Sequence, residues 1–495
     1  MKDSEFRKEI INSNDSLVIL AGAGSGKTTL LTNKIISFIE KNKTHYKVAA
    51  ITFTQKAAYE IKTKLNGRGV GNFIGTNDSF VEQEIIRPFL TDVYGDEFSK
   101  DFIVTYSSDK FHLYSEGLNV LKAKKTLASY SNNKKNFKFQ LALEILKKSI
   151  VAKQYIVAKY KWIFIDEYQD SDEDMHNFFM FIKELGVNLF IVGDLKQSLY
   201  SWRGAKPELF KSLYENDNGF KKFELLENFR CSKCVQNYAN IIEYKDLSRY
   251  QAECREINVI GVENRLQYIL DNLDLDKEIS FLARRNDQAE EIKSELNGAG
   301  YNFTFIAKSP LDDLGTVNKN TFINLARYIK DRNYTHYDFV NNIAGDYSKR
   351  DIMKIKSIIE PLLGNPSEDE IEKILLELFA FLGLVFYENI EIPSFIKSIQ
   401  DSKYDNSFNG KSFKHNVMTI HSSKGLEFEQ VVMYASDFKL HWNRDLNEHY
   451  VAVTRAKSKV IIVLDDNNYI KEVSNIVKSL GLEISKIIKI SQSNN

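Results

Sequence analysis

The stretch LVILAGAGSGKTT (residues 17–29) decides the fold of this 495-residue chain. A continuous apolar run over residues 17–20 predicts a buried parallel strand, the glycines predict a tight turn, and a helix is expected from about Lys27. A strand, a glycine-rich loop and a helix in this order form a phosphate-binding loop, whose backbone N–H groups surround phosphate oxygens. The stretch therefore predicts an α/β nucleotide-binding fold.

Each residue of this loop has an expected role toward ATP and Mg²⁺. Lys27 is expected to neutralise the β- and γ-phosphate oxygens, and the Thr28 hydroxyl to hold Mg²⁺. The backbone of the remaining positions is expected to cradle the nucleotide. These positions are Ala21, Gly22, Ala23, Gly24, Ser25, Gly26 and Thr29.

A second signal follows the apolar run at residues 162–165. Asp166 and Glu167 come directly after this predicted strand, and parallel sheets present ligand-binding groups at the carboxyl ends of their strands. Asp166 is expected to reach Mg²⁺ directly or through water, and Glu167 to orient and deprotonate an attacking water. Together with the loop, the pair predicts a nucleoside triphosphatase.

Further apolar strand candidates alternate with helices in two regions of the chain. They cover residues 48–53, 189–192, 279–283, 416–420, 430–434 and 459–464. Alternation of this kind is typical of doubly wound α/β domains, and the intervening segments read as mainly helical. Two such regions predict a pair of nucleotide-binding lobes, each with an insertion.

Length and composition bound the alternatives. A chain of this length predicts about three or four domains. The 67 basic residues balance 67 acidic ones, and this neutral net charge argues weakly against a polyanionic partner. No apolar run approaches the length of a membrane span, so a cytosolic protein is expected. The three cysteines are expected to be ordinary thiols, since neither a disulfide framework nor four zinc ligands can be assembled from them.

The segment 122–161 departs from this neutrality. It carries eleven lysines against one acid, Glu144, a net charge of +10, and aromatic residues lie among the lysines. That composition predicts a surface that follows phosphates and stacks bases, although a solvated helical face is the alternative. The lysines expected to bind DNA are Lys134, Lys135 and Lys138. The interleaved aromatics are Tyr130, Phe137, Phe139, Tyr155 and Tyr160.

The phosphate-binding loop and the acidic pair belong to a longer series of stretches. In chain order, this series resembles the motifs of superfamily 1A DNA helicases of the UvrD, Rep and PcrA type. The stretches are residues 21–28, 51–58, 75–80, 166–170, 192–205, 228–231, 282–286, 419–428 and 450–457. The resemblance covers almost the whole chain. It implies a DNA-dependent ATPase that moves 3′ to 5′ on single-stranded DNA.

The resemblance also implies an architecture of two RecA-like P-loop lobes, each with a mainly helical insertion. The second insertion is short for the family. The implied boundaries are residues 1–85 and 160–228 for lobe 1A, 86–159 for the basic insertion 1B, 229–309 and 405–495 for lobe 2A, and 310–404 for the reduced insertion 2B.

Site residues follow from the resemblance, position by position. Gln197 would couple hydrolysis to DNA, and Arg230 and Arg455 would reach across the cleft to the transferred phosphoryl group. Phe229 resembles the aromatic that stacks on the base, and Glu427 the residue that holds the ribose. The residues expected along the DNA strand are Phe53, Thr76, Tyr200, Trp202, Arg203 and His421.

Two positions depart from the family pattern at the base. Residues 6–8, Phe-Arg-Lys, stand where the family has a glutamine that reads adenine, and Thr29 stands where it often has an arginine that stacks on adenine. Both departures weaken base recognition. We therefore expect relaxed selectivity, with purine nucleoside triphosphates other than ATP also accepted.

The short length and the stretches at residues 71–88 and 136–142 resemble, more narrowly, the helicase-like B subunits of Gabija anti-phage defence systems. That resemblance implies a partner, an OLD-family nuclease subunit with an ATPase domain and a Toprim domain, and a role in sensing DNA ends or single strands. A stand-alone 3′–5′ translocase or helicase in DNA repair or recombination is the alternative.

Overall fold

The computed structural model describes residues 2–53, 55–105, 109–199, 204–252, 254, 256–307, 309–314, 318–343, 347–384, 388–409 and 413–491. The chain divides into two compact units. The first comprises Met1–Lys100, Tyr130–Leu296 and Met418–Asn495, and the second Asp101–Ser129 and Asn297–Val417. Residues 86–159 contribute to both units, and the division into 1A, 1B, 2A and 2B stays a prediction.

In chain order, the strands of the described residues are β1 (Leu17–Ala21), β2 (Lys47–Thr52), β3 (Phe73–Thr76), β4 (Ile103–Val104), β5 (Thr126–Leu127), β6 (Tyr160–Ile165), β7 (Asn188–Gly193), β8 (Lys221–Leu225), β9 (Val259–Val262), β10 (Ile279–Ala283), β11 (Thr304–Phe305), β12 (His415–Thr419), β13 (Phe428–Tyr434), β14 (Ala456–Val463) and β15 (Lys489–Ile490).

The α-helices of the same residues are α1 (Lys2–Asn12), α2 (Lys27–Lys41), α3 (Gln55–Leu65), α4 (Asn77–Val81), α5 (Arg87–Tyr94), α6 (Tyr114–Lys124), α7 (Phe137–Lys148), α8 (Ile150–Lys159), α9 (Glu173–Glu184), α10 (Pro207–Glu215), α11 (Lys233–Tyr244), α12 (Leu266–Asp271), α13 (Asn286–Gly298), α14 (Lys319–Lys330), α15 (His336–Asn342), α16 (Lys349–Ile359), α17 (Glu368–Leu382), α18 (Glu388–Gln400), α19 (Asp405–Phe408), α20 (Asn443–Val453) and α21 (Asn467–Ser479). A π-helical turn, Glu82–Ile86, joins α4 to α5.

The first unit contains two parallel sheets, which confirms the predicted α/β fold with two lobes. One sheet has the strand order β3-β2-β6-β7-β1-β8, and the other includes β10-β13-β14-β9-β15 in that order. The strand β1 pairs with β7 on one side and β8 on the other. The loop after β1 therefore opens beside the carboxyl ends of β6 and β7, where Asp166 and Asp194 follow.

All eight strand candidates of the sequence correspond to strands, with ends shifted by no more than three residues. Agreement of this kind follows from burial. Strands β1, β2, β6 and β7 lie in the middle of the first sheet and are buried along nearly their whole length, so their sequences read as unbroken apolar runs. The short strands β3 and β8 are less buried, and the apolar pattern does not predict them.

The second unit is mainly helical between β11 and β12, as predicted for residues 310–404. Helices α14 to α19 form this part, and three of its α-helices start with reciprocal capping boxes, at Thr335 with Asp338, Ser348 with Asp351 and Ser367 with Glu370. Strands β4 and β5 pair in parallel within the same unit. No helix of the described residues is long and apolar enough to cross a membrane.

The cysteines differ from expectation. Cys234 on α11 and Cys254 form a disulfide with their Cα atoms 5.6 Å apart, whereas Cys231 is free and buried. The prediction of three ordinary thiols was therefore wrong for this pair. A count of cysteines gives no sign of the bond, since 20 residues separate the two and only the fold brings them together. The described residues contain no His, Cys, Asp and Glu cluster suited to a metal ion.

Candidate nucleotide-binding cleft

The loop between β1 and α2 has the backbone geometry that phosphate binding requires. Gly24 and Gly26 both have positive φ, at 67° and 74°, which favours glycine. A side chain at Gly24 would also collide with Asn228, so this glycine lets the segment before α11 approach the loop closely. Lys27 is buried at the start of α2, and its Nζ lies 3.5 Å from the Ala21 carbonyl oxygen. Thr29 is exposed two positions further along the helix.

The acidic pair stands directly opposite this helix start. The Thr28 hydroxyl donates to Asp166 Oδ2 at 2.9 Å, across 138 residues of sequence. A hydroxyl and a carboxylate are both oxygen ligands of the kind Mg²⁺ prefers, so these two residues fit the predicted cation. Burial and the neighbouring Glu167 carboxylate raise the pKa of Asp166 to about 6. A cation bound beside Asp166 would stabilise the charged form of this carboxylate.

Glu167 lies in an uncommon backbone conformation, with φ of 56°. Left-handed geometry costs free energy for a residue with a side chain and is concentrated at functional sites. Burial alone would raise the pKa of Glu167, but the charges of Lys27 and Lys424 outweigh burial and hold that pKa below its usual range. The side chain is thus ionised at neutral pH, as a general base must be.

Groups of the second lobe reach the same place. The Arg455 guanidinium is 1% exposed, and one of its nitrogens lies 3.4 Å from Gln197 Oε1, which follows β7 of the first lobe. Gln197 in turn donates to Asp194 Oδ2 at 2.8 Å. Burial and the nearby Arg230 lower the pKa of Arg455 to about 10, so the guanidinium keeps its charge at neutral pH. Gln197 and Arg455 therefore meet in the cleft, and their predicted contacts to the γ-phosphate and the transferred phosphoryl group stay predictions.

Arg230, Phe229 and Glu427 lie on the outer side of the cleft. The Arg230 Nε donates to Glu427 Oε2 at 2.8 Å, and Lys457 lies 3.3 Å from the other carboxylate oxygen. The Phe229 N–H donates to the Gly24 carbonyl at 2.9 Å, while its ring is 67% exposed. The ring therefore stands beside the phosphate loop and is accessible to a base. Glu427 contacts Arg230 in this structure, and its predicted bond to ribose stays a prediction.

Two residues near this cleft are absent from the predicted site. Lys424 donates to Asp170, and to the Gln197 carbonyl at 3.1 Å, from within the family-like stretch at residues 419–428. Arg7 donates to the Ser25 carbonyl of the phosphate loop. The position of Lys424 inside a motif could have signalled its role, and Arg7 lies in the stretch at residues 6–8 that stands where the family has its base-reading glutamine.

The predicted DNA-binding residues are distributed over several elements. Phe53 follows β2, and Thr76 caps α4 with a reciprocal bond to Ser79. His421 follows β12. Tyr200, Trp202 and Arg203 lie outside the described residues. The DNA path through these positions stays a prediction.

The basic segment requires a correction. Lys134 and Lys135 are exposed in the turn before α7, but Lys138 is buried, with its Nζ 3.3 Å from Asp78 and 3.7 Å from Glu82. Two acids of the protein itself thus neutralise Lys138, which does not belong to a solvent-facing basic surface.

The aromatics of that segment form core rather than a stacking surface. Tyr130, Phe137, Phe139 and Tyr160 are each at most 4% exposed. The Phe139 ring packs edge-on against Phe178, with centroids 5.4 Å apart. The prediction that these rings stack bases was wrong because helix α7 directs both rings and aliphatic side chains into the interior.

Two protein families match parts of the chain, and two of the relatives described below match nearly all of it. The AAA domain family matches residues 7–203, and the UvrD-like helicase C-terminal domain family matches residues 416–463. The chain is 46% identical over 494 residues to the Gabija protein GajB of Bacillus cereus (strain VD045), a match that covers 98% of this chain and 99% of that protein.

Two further relatives are more distant. The chain is 22% identical over 627 residues to a probable DNA helicase II homolog of Mycoplasma genitalium, covering 98% of this chain and 88% of that protein. It is 28% identical over 282 residues to the ATP-dependent DNA helicase Rep of Buchnera aphidicola, covering 46% of this chain and 43% of that protein. The similarity to GajB is therefore both the highest of the three and continuous along the chain.

Proposed function

The chain belongs to the family of the Gabija protein GajB, within the UvrD-like helicases, and from this premise we propose that it is a DNA-dependent nucleoside triphosphatase that serves as the DNA-sensing subunit of an anti-phage defence complex. One observation carries the proposal. Lys424 Nζ of the second lobe lies 3.9 Å from Glu167 Oε2 of the first, and Arg455 of the second lobe lies 3.4 Å from Gln197 of the first. A complete set of this kind supports turnover rather than a degenerate scaffold.

The residues divide the work of hydrolysis among them. Lys27 and the loop backbone bind the β- and γ-phosphates, and Thr28 and Asp166 would hold Mg²⁺, which neutralises phosphate oxygens when bound. Glu167, ionised beside Lys27, accepts a proton from the attacking water. Arg455 and Arg230 stabilise negative charge on the transferred group, and they come from the lobe opposite the loop.

Coupling to DNA would run through the segment after β7. Gln197 contacts Arg455 on one side, and the residues expected to contact DNA at positions 200, 202 and 203 follow it in the sequence. A change in the distance between the lobes would therefore alter both the nucleotide contacts and the DNA contacts. The expected substrates are ATP and other purine nucleoside triphosphates with Mg²⁺, in the cytoplasm, where DNA and nucleotides are both present.

The complex would contain an OLD-family Toprim nuclease, the A subunit of Gabija systems, which this chain stimulates when it meets DNA ends or single strands. The family membership supports this partner. A stand-alone 3′–5′ translocase or helicase in DNA repair is the second candidate, and the motif series along the chain favours it equally. The two candidates share their chemistry and differ in what hydrolysis produces.

The first test is a Lys27→Ala variant. We expect turnover of ATP to fall below detection because the phosphate charge loses its main counter-charge, while single-stranded DNA binding stays within about twofold of wild type. Lys43→Ala is the matched control, since Lys43 is exposed in the turn after α2. If Lys27→Ala still turns over ATP, the assignment of residues 21–28 as the phosphate-binding loop is wrong.

A second test separates the two candidates. The wild-type chain is assayed for nucleotide turnover and for unwinding of a duplex with a 3′ tail, alone and with the candidate nuclease. Turnover without strand separation, together with increased DNA cleavage by the nuclease, is expected for a sensor subunit. Efficient unwinding by the isolated chain, with no effect on cleavage, would instead establish the stand-alone helicase.

A further inference from the structure

A short turn of 3-10 helix after β7, Leu195–Gln197, meets the second lobe at two different places. Asp194 caps this 195–197 turn by accepting the Lys196 N–H at 3.0 Å and the Gln197 side-chain amide at 2.8 Å. Gln197 faces the cleft, where the second lobe contacts it. Lys196 instead reaches Glu243 at the end of α11, with its Nζ 2.8 Å from Oε1. Because one cap fixes both residues of the turn, we expect them to move together.

The carboxylate of Glu243 depends on this contact. Its side chain is only 2% exposed, and Oε2 has no hydrogen-bond partner among the described residues. Burial raises the pKa of Glu243, and the charge of Lys196 opposes that rise. A buried carboxylate is costly unless it is paired. Lys196 of the first lobe is therefore the counter-charge that Glu243 of the second lobe requires.

Helix α11 connects Glu243 to the nucleotide cleft. The helix starts at Lys233, three residues after Arg230, and its 12 residues span about 18 Å. In its first turns, Gln236 donates to the Cys231 carbonyl at 2.6 Å, which fixes the segment around Arg230 to the helix. The helix also packs against α20 and β14 of the second lobe. It therefore forms a rigid connection from the Lys196 contact to Arg230.

We propose that the Lys196–Glu243 ion pair couples DNA binding to nucleotide turnover, because it links the 195–197 turn to the helix that follows Arg230. The inference rests on the proposed DNA-dependent nucleoside triphosphatase. The positions expected to contact DNA, 200, 202 and 203, follow the turn in the sequence, so DNA bound there would fix the turn. The ion pair then fixes α11, and with it Arg230. Lys196 and Glu243 are positioning residues that act through Gln197 and Arg230.

The test is steady-state turnover of ATP by the full chain, with and without saturating single-stranded DNA. Lys196→Met and Glu243→Gln are each expected to lower the DNA-stimulated kcat about tenfold, a typical size for one coupling contact, while the KM for ATP and the turnover without DNA change less than about twofold. Lys196→Arg keeps a cation opposite Glu243 and is expected to retain at least about half of the stimulated kcat.

A matched control separates this ion pair from general contact between the lobes. Arg249 of the second lobe pairs with Glu224 in β8 of the first, Nη2 to Oε1, at 2.7 Å. Arg249 and Lys196 also lie against the same Tyr244 ring, with Cζ at 4.3 Å and Nζ at 5.2 Å from its centroid. Glu224 is not part of the 195–197 turn, so Arg249→Met is expected to change the DNA-stimulated kcat less than about twofold.

The double variant Lys196→Met with Glu243→Gln makes the test specific. It is expected to lose no more of the DNA-stimulated kcat than either single variant, since both changes remove the same bond. Additive losses, unchanged stimulation in the single variants, or an equal loss in Arg249→Met would each overturn the proposal. If DNA does not stimulate turnover by wild type, the proposed function itself is wrong. Glu243→Gln leaves no buried charge unpaired, so it tests the proposal even if thermal unfolding shows that Lys196→Met does not fold.

Discussion

The nucleotide cleft and the basic segment 122–161 carry the two strongest functional signals in the sequence, and the structure treats them differently. In the cleft, groups far apart in sequence meet as the motifs predict, with Thr28 bonded to Asp166 and Arg455 beside Gln197. In the basic segment, four of the five aromatics and Lys138 are buried. The ordered motifs therefore predicted which residues meet in the cleft. The composition of segment 122–161 alone did not predict which of its residues form a surface.

The difference has a physical origin. In the first lobe, the motifs of the cleft follow the buried strands β1, β6 and β7, and parallel strands bring their carboxyl ends to one edge of the sheet. Arg455 of the second lobe lies instead between α20 and the start of β14. The position along the chain then fixes the position in space. In the basic segment the side chains lie on helices, where successive residues face different directions, and a count of lysines does not show which of them face water. The acids that neutralise Lys138 also lie outside the segment, at residues 78 and 82.

The largest expected effect concerns the motif side of this comparison. Arg455→Lys is expected to reduce DNA-stimulated turnover by at least about 10³-fold, because a lysine keeps the charge but cannot reach the same acceptors with a planar fork. Steady-state kinetics at saturating nucleotide measure this effect. Arg285→Lys, whose side chain is 71% exposed, is the matched control. A loss of DNA-stimulated turnover below tenfold in Arg455→Lys would contradict the role that the motif series assigns to Arg455 in this cleft.

A smaller effect concerns the buried lysine of the basic segment. Lys138→Met is expected to lower the free energy of unfolding by about 2 kcal/mol, since it removes a counter-charge from both Asp78 and Glu82. Lys135→Met, at an exposed position, is expected to change that free energy by less than about 0.5 kcal/mol. Urea unfolding of both variants measures the two changes in the free energy of unfolding. Equal changes would contradict the burial of Lys138 between Asp78 and Glu82.

The same contrast explains how much of the molecule the sequence could predict. Strands β1 and β7 were predictable because a strand covered on both faces contains a continuous apolar run. Strand β9 is also buried at all four positions, but it was not predicted. The Cys234–Cys254 pair was not predictable, because tertiary contacts between segments without a shared pattern bring the two residues together. Residues 6–8 differ from the family pattern, but the bond from Arg7 to the Ser25 carbonyl was not predicted. Glu427 forms an ion pair with Arg230, a contact that the family likeness does not specify.

The smallest expected effect decides what remains of the basic surface. Reversing the charge of both exposed lysines, Lys134→Glu with Lys135→Glu, is expected to weaken single-stranded DNA binding about tenfold and to reduce the slope of log affinity against log salt by about 1.4, if each lysine contacts one phosphate. Binding titrations at several salt concentrations measure both quantities. Lys147→Glu with Lys148→Glu, at the end of α7, is the charge-matched control. An unchanged slope in the first variant would show that neither lysine lies on the DNA path. An equal loss of DNA affinity in both variants would show instead that DNA binding depends on the net charge of segment 122–161 rather than on Lys134 and Lys135. The composition would then have predicted the electrostatic attraction to DNA correctly, but not the residues that contact DNA.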